Sequence, residues 1–126
     1  MTYHLYIGRW CPFHNGHAEM ILQKPEPYLI LIRDTPYDFL PADVRAESIM
    51  RWLAANDLEG LVMVIPDIEG VYYGRGVGYA VEELEDVDNP VSGTAIRESL
   101  NSGGSEWRGM VPETTAGVIS EWYGLR

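Results

Sequence analysis

Three short apolar runs separated by helical patterns constrain this chain most: Leu5-Tyr6-Ile7, Tyr28 to Ile32 and Leu61 to Ile65. The two longer runs are continuous rather than alternating, as expected of parallel strands buried on both faces. After the first run, Ala18, Ile21 and Leu22 mark one face of a helix, and Lys24-Pro25-Glu26-Pro27 breaks it. After the second run comes a polar turn, Arg33-Asp34-Thr35-Pro36. Pro41 then suits a helix first turn, Asp43 suits the helix dipole, and Ala46, Ile49, Met50 and Leu53 form an apolar stripe. Strand, helix, strand, helix, strand is the logic of consecutive βαβ units with right-handed connections. Glu69 to Glu83 is less regular: Val71-Tyr72-Tyr73 reads as a short strand, Tyr79 to Leu84 as either helix or strand, and Glu82 to Asp88 as an exposed acidic stretch. Val91 to Thr94 leads into a helix carrying Ile96, Arg97 and Leu100. Pro112 opens a last helix with Thr115, Val118, Ile119 and Trp122 on one face, stopped by Gly124.

With 126 residues, the expectation is one α/β domain over 1–126. No apolar run approaches the ~20 residues of a membrane span. No basic and apolar leader pattern precedes the first strand, and the lone Cys11 supports no disulfide framework, so a cytoplasmic protein without membrane attachment is expected. A net charge of −10 argues against an extended nucleic-acid surface, which needs a basic stripe. It leaves room for a small phosphorylated ligand held by a local cluster. Arg9, Arg45 and Arg97 all lie near candidate site motifs.

The most informative of those motifs is Gly8-Arg9-Trp10-Cys11-Pro12-Phe13-His14-Asn15-Gly16-His17. Strand, tight loop and helix start are the layout of an anion site, because the first turn of a helix carries unpaired N–H groups and the positive end of the dipole. Asn15 is the expected N-cap, and Gly16 lets a ligand approach the backbone. His14 and His17 are about one turn apart, so both imidazoles can face one anion. Zinc would need three or four ligands. His4 lies in a strand and Cys11 is isolated, so no protein-bound metal is expected. Ser92-Gly93-Thr94-Ala95-Ile96-Arg97 is a second loop-to-helix anion site, with Ser92 or Thr94 as cap and Arg97 one turn in. Gly74-Arg75-Gly76-Val77-Gly78 is not the G-x-G-x-x-G of a dinucleotide loop and reads as a turn near the substrate.

His14-Asn15-Gly16-His17 resembles the H-x-G-H motif of the nucleotidyltransferase superfamily, which is related to the class I aminoacyl-tRNA synthetases. The wider G-R-x-x-P-F-H-x-G-H is similar to archaeal-type NMN adenylyltransferases and their phage and bacterial relatives. Ser92 to Arg97 resembles their (I/Y)SGTxIR element. The resemblance implies a Rossmann-like fold, with a central parallel sheet and helices on both faces. It implies transfer of AMP from ATP to a phosphate monoester with release of pyrophosphate, and Mg²⁺ bridging the ATP phosphates. His14, His17 and Arg97 would be catalytic. Gly8, Arg9, Trp10, Pro12, Phe13, Gly16, Ser92, Gly93, Thr94 and Ile96 would form the nucleotide site. Arg45, Asp67, Tyr72 and Arg75 are the acceptor-side candidates, while Glu106-Trp107-Arg108 matches the family in a packing role.

NMN is the leading acceptor, giving NAD. A pantetheine phosphate, or an alcohol phosphate with CTP as donor, stays open. The chain is shorter than the archaeal-type enzymes between Asp67 and Ser92, the region that cradles nicotinamide there. Tyr37, Tyr72 and Tyr73 are the aromatic candidates to replace it. A non-catalytic nucleotide-binding regulator is the alternative of a different class. A homo-oligomer is expected from the aromatic content.

Overall fold

The three apolar runs form β1 (His4–Gly8), β2 (Tyr28–Asp34) and β3 (Gly60–Pro66), paired in parallel in the order β1-β2-β3. Between them lie α1 (Asn15–Ile21) and α2 (Ala42–Ala55). After β3 come α3 (Gly93–Asn101), a 3₁₀ helix (Glu106–Met110) and α4 (Glu113–Tyr123). This computed structural model describes residues 1–36, 38–84 and 92–125. The expectations for Tyr37, for the acidic stretch beyond Leu84 and for Val91 lie outside the described residues. The architecture is the small parallel α/β layer of Rossmann type that the strand and helix patterns call for.

One face of the sheet is covered. Tyr6, Tyr28, Ile30 and Ile32 point into a core with Ala18 and Ile21 of α1 and Ala46, Ile49, Trp52 and Leu53 of α2. Fully burying an Ile such as Ile30 or Ile49, both at 0 % exposure, contributes about 1.5–3 kcal/mol each. A second cluster joins Cys11 and Leu40 to Ile96, Trp107, Val111, Ala116 and Ile119, where α4 packs against α2 and α3 packs against the 3₁₀ helix. Trp107 is buried there, in the packing role expected of it.

The other face differs from the expectation of helices on both sides. The register sets Leu5 beside Leu29 and Leu61, and Ile7 beside Leu31 and Met63. Leu5, Leu61 and Met63 are 51–52 % exposed. A continuous apolar run fits burial on both faces, but the described residues between β3 and α3 supply no helix to cover the second one. Residues 67–84 form neither strand nor helix, contrary to the short strand at Val71 to Tyr73 and the regular element at Tyr79 to Leu84. Leu22, Met50 and Trp122 were placed on buried helix faces by spacing and are exposed, each at the border of its stripe. Trp52 takes the core position instead. Pro112 and Gly124 bound α4 as expected, Gly124 with a φ of 65° that glycine tolerates without strain.

Arg45 anchors the loops above the sheet. It is 1 % exposed, and its Nε donates to Leu40 O at 2.9 Å. Its Nη1 donates to Arg9 O at 2.7 Å and to Arg33 O at 3.1 Å. Asp38 lies 3.8 Å from the same guanidinium. One buried cation thus holds the backbone at the carboxyl ends of β1 and β2. Arg45→Met leaves buried carbonyls and Asp38 without their donor, so we expect a loss of at least ~3 kcal/mol in urea unfolding. The exposed Arg51, paired with Glu47 and Glu121, serves as the control, and Arg51→Met should leave the midpoint almost unchanged.

Candidate active site

The two signature segments meet. Arg9, Trp10, Cys11, His14 and His17 line one cavity of about 320 Å³ together with Arg33, Gly93, Thr94 and Arg97. The link is direct: Arg97 Nη1 donates to Cys11 O at 3.1 Å, across 86 residues of sequence. Gly93 makes that approach possible. A Cβ there would sit 2.9 Å from Arg97 Nη1 and 3.1 Å from Cys11 O. Arg97 Nη2 donates to Thr94 Oγ1 at 3.2 Å, and Ser92 caps α3 by accepting from Ala95 N.

The cap of α1 is His14, not Asn15. The Asn15 side chain instead donates to Gly109 O at 3.1 Å and ties α1 to the 3₁₀ helix. His14 has extended backbone angles, and its Nδ1 accepts from His17 N at 3.2 Å. In return His17 Nδ1 accepts from His14 N at 3.3 Å. The two rings lie face to face, with centroids 3.6 Å apart and planes 13° apart. This is a capping box built from two histidines. Because a backbone N–H can only donate, both Nδ1 atoms must be acceptors. A neutral imidazole then carries its one proton on Nε2. The helix cap therefore sets both tautomers, and leaves both Nε2–H groups as the donors not used by the backbone.

The surroundings keep the rings neutral. Phe13 is fully buried and stacks against His17 at 6.0 Å, while Trp10 meets His17 edge-on at 4.9 Å. Burial pushes His14 down to about 4. Burial, and then the neighbouring His14, push His17 down to about 3. Trp10 itself has a φ of 53°, a left-handed conformation that costs an L-residue ~1–2 kcal/mol. Its indole is 2 % exposed and donates to Leu31 O at 2.9 Å, which holds it there. Gly8 leaves room for that indole, since a Cβ on Gly8 would lie 2.9 Å from the ring.

Positive charge surrounds the cavity. Arg9 is half-exposed and bonded to Asp38, which also accepts from Thr35 and faces Arg45. Burial works against the Asp38 carboxylate, but the hydrogen bonds from Arg9 and Thr35 and the two arginine charges outweigh it and lower its pKa. Arg33 is a cavity residue that the sequence reading missed. Its segment reads as a plain polar turn in sequence, and its place at the carboxyl end of a parallel strand is the signal that marks it. Its Nε donates to Asp67 Oδ1 at 2.9 Å, and its Nη2 forms an ion pair with the same oxygen at 2.8 Å.

Of the other sequence candidates, Phe13 and Ile96 are core residues beneath the site, and Gly16 is buried in α1. Cys11–Pro12 is a cis peptide in the loop. The acceptor-side candidates do not converge on the cavity. Arg45 is buried below it, and Asp67 reaches it only through Arg33. Tyr72 is 87 % exposed, and neither it nor Arg75 lines the cavity. The lining contains no carboxylate, and no group of three or more His, Cys, Asp or Glu among the described residues could hold a metal.

The cavity brings together three arginines, two imidazoles and the start of α3, groups that favour anions. The curated proteins similar to this chain agree with that chemistry. A nicotinamide-nucleotide adenylyltransferase of Methanococcus maripaludis strain C5 is 29 % identical over 153 aligned positions, covering 94 % of this chain and 89 % of the relative. A protein of the same name from strain C6 is 28 % identical with the same coverage. This chain resembles the nicotinamide-nucleotide adenylyltransferases. The likeness runs along nearly its whole length and bears out the nucleotidyltransferase resemblance of the two signature segments. The aligned span exceeds the 126 residues of this chain, so these adenylyltransferases carry residues that have no counterpart here. No family model matches the chain, and no solved structure matches it significantly. No helix among the described residues is long and apolar enough to cross a membrane.

The depressed histidines fix the sign of the acid response. Unfolded imidazoles take up protons below about pH 6.5, whereas folded His14 and His17 stay neutral until about 4 and 3. The unfolded state thus binds more protons in this window, and stability falls as pH drops from about 6.5 toward 4. Urea midpoints measured across that range should fall for the native chain and fall less steeply for His17→Asn.

Proposed function

We propose that the chain is an adenylyltransferase that moves AMP from ATP to a phosphate-monoester acceptor, with NMN as acceptor and NAD as product. The observation that carries this reading is the shared cavity of His14, His17 and Arg97, formed by segments from opposite ends of the chain. The names of the two Methanococcus relatives support the choice of NMN.

The substrate is ATP with its Mg²⁺, and the metal neutralises phosphate charge when bound. The acceptor phosphate attacks the α-phosphorus in line, and pyrophosphate leaves. A phosphate is already a competent nucleophile, so no covalent enzyme intermediate is required. Catalysis is positioning and stabilisation of developing charge. His14 and His17 donate from Nε2 to the triphosphate as negative charge builds on the leaving group. Arg9 and Arg97 hold the β- and γ-phosphates, and the start of α3 adds backbone donors. Neutral imidazoles suit this role, because donation needs the proton on Nε2 and no change of charge.

A non-catalytic nucleotide-binding domain is the second reading. The observation that favours it is the position of Tyr72 and Arg75 away from the cavity, which leaves residues 67–84 without a built acceptor wall. Incubation with ATP, Mg²⁺ and NMN separates the two. The first reading expects NAD and equimolar pyrophosphate. The second expects ATP binding with no pyrophosphate from NMN, pantetheine phosphate or an alcohol phosphate, with ATP or CTP as donor. The half-exposed apolar sheet face around Leu5, Leu61 and Met63, uncovered by any helix among the described residues, supports association of copies of the chain, which sedimentation at micromolar concentration tests.

His17→Ala should lower kcat by ~10²–10³-fold or more while leaving the circular dichroism spectrum unchanged. A variant turning over near the native rate would exclude the mechanism.

A further inference from the structure

We infer that Arg33 binds the phosphate of the acceptor, the group that attacks the α-phosphorus. The inference rests on the adenylyl-transfer reading and adds to it the acceptor half of the site. Three arginines line the cavity, and they come from different supports. Arg97 stands on α3 and is bonded to the loop after β1. Arg9 belongs to that same loop and is held by Asp38. Arg33 alone comes from β2, and its tether, Asp67, follows β3, the strand farthest from β1 in the sheet. The cavity thus has a triphosphate end, where both helix starts and both imidazoles lie, and a cationic group anchored toward the opposite side of the sheet.

In-line transfer needs such a division. The new bond forms between an acceptor phosphate oxygen and the α-phosphorus. The bond from that phosphorus to the bridging oxygen of the β-phosphate breaks, and pyrophosphate departs with the electron pair. The acceptor phosphate arrives ionised, so no proton has to be removed. The attacking and leaving oxygens lie on opposite sides of the phosphorus, so one set of cations cannot hold both. An incoming phosphate also meets a polyanion, and needs its own positive charge to approach.

Arg33 meets the geometric requirement. Asp67 takes Nε and Nη2, which fixes the plane of the guanidinium. Among the described residues Nη1 has no protein acceptor, and the side chain is about one-third exposed at the cavity. A guanidinium held on one edge and open on the other suits a phosphate better than an ammonium would. The hydrogen bond from Arg45 to Arg33 O fixes the backbone below it relative to Arg9. Asp67 is then a positioning residue for Arg33.

The test compares Arg33→Met, Arg33→Lys and Asp67→Asn with the native chain. With Mg²⁺, ATP and NMN, Arg33→Met should raise the KM for NMN by ~10–100-fold and leave the KM for ATP within about threefold. Arg33→Lys should recover part of the loss, and Asp67→Asn should fall between Arg33→Met and native. Nicotinamide riboside, which lacks the phosphate, should inhibit native and Arg33→Met chains equally. A second arm is independent of the acceptor's identity: inorganic phosphate titrated into the chain saturated with a non-hydrolysable ATP analogue should bind the native protein at millimolar concentration and Arg33→Met not at all. Native protein that makes no NAD defeats the choice of NMN, while the phosphate arm still decides the role of Arg33. Equal rises in both KM values, or phosphate binding that survives Arg33→Met, would overturn the inference.

Discussion

The geometry of the candidate site depends on the reciprocal hydrogen bonds between His14 and His17 at the start of α1. They satisfy two backbone donors that a helix start otherwise leaves open. They also lock two stacked rings in one orientation and put the protons on the atoms not used by the backbone. The interaction that caps the helix is thus the one that orients the two rings. A Ser or Thr cap would serve α1 as well as His14 does, but would offer no second ring atom to donate beyond the helix.

The second constraint is electrostatic. A chain with a net charge of −10 collects three arginines at one cavity and a fourth directly beneath it. Each is held by a specific acceptor: Arg9 by Asp38, Arg33 by Asp67, Arg97 by Cys11 O, and Arg45 by three carbonyls. Two carboxylates therefore neutralise part of the cluster without lining the cavity itself. Without such anchors, the mutual repulsion of the cations and their side-chain entropy would both work against a preformed site. The fold thus holds the cavity's positive charge in place in advance, the arrangement that the proposed electrostatic catalysis requires.

Much of this was legible in the sequence because the signals were local. The three strands follow from apolar runs bounded by Pro, Gly and polar turns. The two anion sites follow from strand-loop-helix spacing, and their pairing from the family resemblance. The misreadings share a physical cause. Asn15 is the better cap by propensity, but the ring of His14 can both cap and be capped, a reciprocity that single-residue preference does not encode. Met50 and Trp122 fit a helical period yet sit at the edge of their stripes, where tertiary packing decides exposure. The run in β3 looked buried on both faces, but what covers a face is set by distant chain, and the described residues provide no cover. Arg33 looks like an ordinary surface cation in one dimension, and Arg45 stands out there only as an acceptor-side candidate. Only the register of β1 with β2, and the fold-back of α2, reveal that Arg45 grips the backbone of Arg9 and Arg33.

A histidine cap, an arginine frame and a glycine-made approach of α3 meet at one cationic cleft. The central claim is that two neutral histidines present Nε2–H donors to that cleft. Nitrogen-15 NMR of the imidazoles at pH 7, with and without Mg²⁺ and ATP, tests it most directly. The account predicts the Nε2–H tautomer for both His14 and His17 in the free chain, and movement of both Nε2 signals when ATP binds. Imidazolium rings, protons on Nδ1, or Nε2 signals indifferent to ATP would contradict it.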